Sequence, residues 1–128
     1  MDARQKEAAW LGSSKKALRS FPKPVRLKLG HAVWEAQLGR FPHGAKPLHG
    51  FGGAGVVEIL ADHDGNTYRA VYTVRFADFV YVLHVFQKKA KKGIKTPGNV
   101  LELIRKRLKI AEDNYEKWKA KRQNTDQS

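Results

Sequence analysis

The chain has 128 residues, no cysteine and a formal net charge of +13, which suits one small basic domain. Without cysteine there are no disulfides, no thiolate metal sites and no thiol catalysis. No stretch approaches the roughly 20 apolar residues of a membrane helix, and the first residues lack the apolar core of a signal peptide. We therefore expect a cytoplasmic protein without membrane contact, whose charge favours a polyanionic partner.

Two helices are predicted near the start of the chain, after a loosely ordered lead-in at residues 1–9. Ser13 and Ser14 can cap a short helix over Lys15–Ser20, because serine hydroxyls accept hydrogen bonds from free amides of a first turn. A second helix is predicted over Pro24–Leu38, with apolar residues at helical spacing. The tryptophans are expected to pack inward from helical positions: Trp10, Trp34 and Trp118.

Three strands are predicted after a loop at residues 40–55 that is rich in glycine and proline. The first turn between them contains Asp-Gly, a strong hairpin signal, and the second is a two-residue turn at Ala77-Asp78. Because side chains alternate along a strand, the middle one should have an apolar face and a basic face that carries Arg69 and Arg75. The predicted strands are Val56–Ala61, Thr67–Phe76 and Phe79–Gln87.

A last helix is predicted to begin at Thr96-Pro97, where threonine can cap and proline suits the first turn. Its apolar spacing continues to Trp118, and the polar residues beyond should be frayed. The predicted fold class is therefore α+β: two N-terminal helices packed on a small antiparallel sheet, then a C-terminal helix. One domain should cover residues 1–128, with an ordered core at about residues 10–118.

In this order of elements the chain resembles the RelE/HigB-type toxins of bacterial type II toxin–antitoxin systems, in their phage-derived branch. The most specific segments are the strand YRAVYTV and the stretch LHVFQKKAKKGIKTP. The resemblance covers roughly residues 10–115. It implies a RelE-like fold and a ribosome-dependent mRNA endoribonuclease. It also implies attack of an RNA 2′-hydroxyl on the adjacent phosphate without a metal or another cofactor.

The resemblance implies catalytic roles for cationic residues of the last two predicted strands. Arg69 matches the arginine that follows tyrosine in the family's strand, and its planar fork suits two phosphate oxygens. Lys88 and Lys89 match the lysines at the end of the following strand, with phosphate contact or acid–base assistance as their role. The remaining basic candidates would hold the RNA backbone: Lys91, Lys92, Lys95, Arg75 and Lys46.

Two further residues are candidates for proton transfer, each with an alternative. His84 titrates near neutrality in its ordinary state, but a lone histidine in an apolar strand is often a packed residue. Glu58 could be the general base, or it could pair with Arg69 across the hairpin. Phe86 likewise could stack a base or belong to the core.

The expected partners are a helix-turn-helix antitoxin of the HigA type, the ribosome with its mRNA, and operator DNA reached through the antitoxin. Two other functions stay open. Relatives of the same fold, the ParE-like proteins, poison DNA gyrase without cutting RNA. A basic nucleic-acid-binding module would use the same side chains without cleavage.

Overall fold

The computed structural model describes residues 5–88 and 96–127, with side chains up to residue 124. One mixed five-stranded sheet and three helices make up this part of the chain, so the α+β class is confirmed. The elements in chain order are β1 (Glu7–Trp10), α1 (Ser14–Ser20), α2 (Lys23–Gln37), β2 (Lys46–Pro47), β3 (Val56–His63), β4 (Asn66–Thr73), β5 (Phe79–Lys88) and α3 (Gly98–Gln127).

The local signals of α2 are confirmed, but the predicted serine cap of α1 is wrong: Ser13 makes no side-chain cap hydrogen bond, and the Ser14 hydroxyl donates to the Leu11 carbonyl. Pro22 precedes α2 as its N-cap residue, and proline also stands in the first turn at Pro24, where its fixed φ is already helical. Gly39 follows the last turn with a φ of 80°, a left-handed conformation that glycine adopts without a Cβ clash. The predicted and observed bounds of α2 agree within one residue at each end.

The three predicted strands form an antiparallel meander, β3–β4–β5. The Asp-Gly turn is confirmed: Asp64 and Gly65 have positive φ values of 49° and 77°, as a type I′ turn requires. The prediction of a two-residue turn at Ala77-Asp78 is wrong, because β4 ends at Thr73 and residues 74–78 all belong to the connection to β5. At this end of β4 the Thr73 hydroxyl donates to the Ala54 carbonyl, and the Val74 amide donates to the Gly55 carbonyl.

A strand precedes the helices, which corrects two expectations. Residues 7–9 lie within the predicted lead-in, yet together with Trp10 they form β1 and pair in parallel with β5. Trp10 is therefore a strand residue, and the sheet order is β1-β5-β4-β3-β2. The expected layout of helices first and a purely antiparallel sheet is wrong, because the backbone groups on the open edge of β5 are satisfied by this short parallel strand.

Helices cover both faces of the sheet. On one face α2 packs on the apolar side chains of β3 and β4, as the alternation predicted. On the other face α3 covers a second apolar cluster that contains Val71, Leu83 and Ile104. The expected basic face of β4 is therefore wrong: Arg69 lies on it but is only 2% exposed.

The last helix is longer than its apolar spacing predicted. α3 has 30 residues and continues to Gln127, past the frayed tail expected after Trp118. Among the described helices, none combines the length and apolarity that crossing a membrane requires.

Candidate functional site

A cleft of about 350 Å³ opens on the α3 side of the sheet, between β2, β3 and the start of α3. We call it the β2–α3 cleft. Both apolar and charged side chains line it, so it can take a ligand with polar and apolar parts. Its lining residues are Lys46, Pro47, Leu48, His49, Glu58, Thr96 and Leu101.

A buried ion pair lies at the floor of this cleft. Nη1 of Arg69 donates to Oε2 of Glu58 at 2.8 Å, and both residues are almost completely buried. In the β3–β4 register Glu58 is opposite Val71 and Leu60 is opposite Arg69. The pair is therefore a diagonal contact between neighbouring strands on one face. The structure thus contains the pairing that was one of two interpretations of Glu58, while its catalytic role stays a prediction.

Thr96 forms a hydrogen bond with each member of the ion pair. Its Oγ1 accepts from Arg69 Nη1 at 3.2 Å and donates to Glu58 Oε2 at 3.1 Å. Its sequence position had suggested a helix cap, but these hydrogen bonds go to charged side chains of the sheet. The start of α3 is thereby fastened to the cleft floor.

Two lysines stand beside the pair in different environments. Lys46 lies opposite Glu58 in the β2–β3 register and is exposed at the cleft rim. Lys88, at the end of β5, is buried. Burial lowers the pKa of Lys88, the positive charge of Arg69 lowers it further, and Glu58 opposes both effects. Lys88 is thus a better proton donor than an ordinary lysine.

His84 occupies a different place on the same face, opposite Val71. Arg107 Nη1 lies 3.0 Å from its Nδ1 and donates to the Leu83 carbonyl at 2.9 Å. Burial, and then the charge of Arg107, lower the pKa of His84 to about 4. Since a guanidinium has no lone pair to offer, Nδ1 is the acceptor and the ring proton sits on Nε2. His84 is therefore neutral at pH 7, with its accepting nitrogen already used.

Phe86 lies between His84 and the ion pair. It is opposite Arg69 in the β4–β5 register, and its ring stacks on His84 with a centroid distance of 4.7 Å. It is partly buried against the core under α3, which fits its interpretation as a core residue.

Among the described residues, Arg75 is a sequence candidate that lies away from the cleft floor. Arg75 lies beyond the end of β4, and its Nη1 donates to Glu112 of α3 at 2.6 Å, so its charge is matched locally. The other lysines of the basic run lie outside the described residues: Lys89, Lys91, Lys92 and Lys95.

The sequence did not single out two residues that matter here: Thr96 as a partner of the ion pair, and Arg107 beside His84. Only Thr96 had a signal, its place directly before Pro97, and that signal indicated a cap. Within the described parts of the chain, no group of histidine, aspartate or glutamate side chains is placed to hold a metal ion.

A comparison with protein families matches the chain to phage-derived Gp49-like proteins (DUF891) over residues 16–109. The match covers well over half of the sequence. The chain belongs to the Gp49-like family. Neither the curated proteins nor the solved structures contain a significant match. The range shared with this Gp49-like family contains Lys46, Glu58, Arg69, Lys88 and Thr96, and therefore the cleft and its ion pair.

Proposed function

We propose that this Gp49-like protein is the toxin of a type II toxin–antitoxin pair and that it cleaves mRNA on the ribosome. The family is associated with toxins of such systems. The observation that carries the proposal is the buried Glu58–Arg69 pair on the floor of a cleft whose rim bears Lys46. A strongly basic chain with a carboxylate set among cations suits a reaction at a phosphodiester.

The proposed reaction needs a base, an acid and cations near one phosphate. Glu58 would take the proton of the 2′-hydroxyl as the 2′-oxygen bonds to phosphorus. Its negative charge is then neutralised, so Arg69 loses its counter-charge as the phosphorane gains negative charge. A guanidinium held in place beforehand stabilises that charge without reorganisation. Arg69 thus both orients the carboxylate and stabilises the transition state.

The bond from phosphorus to the 5′-oxygen breaks in the same reaction, and that oxygen must receive a proton. Lys88 would supply it, because its lowered pKa makes transfer to an alkoxide easier. Lys46 at the rim would hold a flanking phosphate. The products would be a 2′,3′-cyclic phosphate and a 5′-hydroxyl.

The test is cleavage of a defined mRNA, end-labelled, with and without programmed ribosomes, followed by analysis of the new ends. We expect cuts that depend on ribosomes and leave the two end groups named above. Glu58→Gln keeps the shape of the side chain and should reduce cleavage by about 10²–10⁴, the usual contribution of a general base. Glu112→Gln, the same change in the exposed pair with Arg75, is the matched control and should cut normally.

Thermal unfolding of both variants separates loss of chemistry from loss of fold. A folded Glu58→Gln variant that cuts at the native rate would remove Glu58 from the mechanism. Absence of cutting by the native chain under both conditions would overturn the nuclease. Inhibition of supercoiling by DNA gyrase would then assign the gyrase-poisoning alternative, and binding of RNA alone would assign the simple module.

A further inference from the structure

The outward side of α2 carries apolar side chains that the described part of the chain leaves exposed. Leu27 and Trp34 are 62% and 42% exposed, and Phe41, just beyond the helix end, is 60% exposed. We call these three residues the α2 outer stripe. The opposite side of α2 already packs on the sheet through Val25, Leu29, Ala32, Val33 and Ala36. The expectation that Trp34 packs inward is therefore wrong.

Gly30 lies between the two helical members of the stripe, three residues after Leu27 and four before Trp34. Those spacings put all three on one side of the helix. A Cβ at Gly30 would meet nothing within 4 Å, so packing within the described structure does not require glycine. Glycine inside a helix costs about 0.5–1 kcal/mol relative to alanine. Its presence leaves a notch between two apolar side chains, where another backbone can approach closely.

The charges around the stripe are almost all positive. Lys23, Arg26 and Lys28 belong to the same helix, and the Arg40 guanidinium lies 5.8 Å from the centre of the Trp34 ring. The acid of α2 is Glu35, which lies 3.2 Å from His31. With a net charge of +13, a second copy of the chain would be repelled from this surface, whereas an acidic partner would be attracted.

We propose that the α2 outer stripe is the docking surface for an acidic amphipathic helix of the antitoxin, which crosses α2 at Gly30. The proposal rests on the proposed function, since it takes the toxin's partner as the owner of that helix. Apolar anchors at intervals of a helical turn, with a charged rim, are the usual features of helix-in-groove recognition. Tryptophan is the residue type that most often dominates such interfaces.

The stripe and the β2–α3 cleft lie on opposite sides of the sheet. α2 covers one face of the sheet, and the cleft lies on the face that α3 covers. The partner and the RNA can therefore be bound at the same time. Failure of one proposal can be detected without the other, because binding and cleavage are separate measurements.

The test is titration calorimetry with the expected antitoxin as the probe, the helix-turn-helix protein that the resemblance implies is encoded by the adjacent gene. Trp34→Ala should weaken binding by about 30-fold or more, the level of an interface hot spot. Gly30→Ala should weaken binding at least tenfold while it raises the midpoint of thermal unfolding, because alanine favours the helix. Loss of fold therefore cannot explain its effect. Ile110→Ala, which truncates an apolar residue of α3 that is 55% exposed, is the control and should bind normally.

Unchanged affinity in both Trp34→Ala and Gly30→Ala would overturn the proposal, as would no binding of the adjacent protein to the native chain. Sedimentation of the native chain alone tests whether a second copy of the chain occupies the stripe. A dimer that forms with increasing concentration and disappears in Trp34→Ala would assign the stripe to a second copy of the chain. That result would also overturn the proposal of antitoxin docking. RNA cleavage by Trp34→Ala should match cleavage by the native chain. A native chain that binds the partner but never cuts RNA would contradict only the proposed nuclease activity.

Discussion

Nη1 of Arg69 lies 2.8 Å from Oε2 of Glu58, and the two side chains are 2% and 4% exposed. Two charges removed from water in this way need each other, because either one alone would carry a large desolvation penalty. Thr96 adds a hydrogen bond to each of them. The candidate site and the stability of the fold therefore depend on the same three side chains.

Removal of one member of this pair should be severe. Arg69→Ala leaves the Glu58 carboxylate buried without its guanidinium partner, and we expect it to lower the free energy of unfolding by about 3–5 kcal/mol. Urea denaturation measures the change. Arg75→Ala breaks an exposed pair and should lower it by less than about 1 kcal/mol. Equal losses in the two variants would contradict this account of the buried pair.

Lys46 should contribute to RNA binding more than Arg75 does. Lys46 is exposed at the cleft rim, whereas the Arg75 guanidinium already has Glu112 at 2.6 Å. Affinity for a short single-stranded RNA, measured over a range of salt concentrations, gives the number of phosphate contacts. The number of contacts follows from the slope of the logarithm of the binding constant against the logarithm of the salt concentration. Lys46→Ala should reduce the magnitude of this slope by about 1, while Arg75→Ala should change it less. The reverse order would move the RNA path from the cleft toward α3.

His84 should make stability depend on acidity. Its pKa is about 4 in the fold against 6.5 for the free side chain, so the unfolded chain binds more protons between these values. Stability should then be complete above pH 6.5 and fall by about 1–3 kcal/mol as the pH drops to 4. Urea unfolding at several pH values measures this loss of stability. His84→Gln is the comparison, because glutamine does not titrate but can still accept a hydrogen bond from Arg107. Parallel curves for the two proteins would refute the assignment.

The same state of His84 bears on catalysis. A histidine that is neutral at pH 7, with Nδ1 bonded to Arg107, is a poor general acid in the neutral range. Cleavage rates of the native chain and His84→Gln should therefore show the same pH dependence between pH 6 and 8. A pKa near neutrality that only the native chain displays would restore His84 as an acid–base group.

Two buried tyrosines should respond differently to loss of their hydroxyl. Within the described residues, the Tyr72 hydroxyl has no hydrogen-bond partner, and burial followed by Glu35 raises its pKa to about 12. Tyr72→Phe should be neutral or stabilising, because no bond is lost. Tyr81 donates to Asn114 at 2.7 Å, and Tyr81→Phe should cost about 1 kcal/mol. Thermal unfolding compares the two, and a larger loss in Tyr72→Phe would show that its hydroxyl has a partner.

Local signals in the sequence predicted local structure well. Pro24 and Gly39 bound α2, and Asp64-Gly65 joins β3 to β4, because each of these residues restricts or extends the backbone within its own turn. Alternation along β4 correctly placed Tyr68, Ala70 and Tyr72 on the face that packs against α2. These features depend on neighbours a few residues apart.

The sequence by itself determined the helices, the meander and the basic character of the chain, and it named Glu58 and Arg69 as residues that can pair. Only the tertiary structure decided that residues 7–10 add a parallel strand, that Arg69 is buried, and that Trp34 faces outward. Thr96 reaches Arg69 and Glu58 across 27 and 38 residues of chain. Such contacts depend on which element covers which face of the sheet, and periodicity along the chain does not encode that choice.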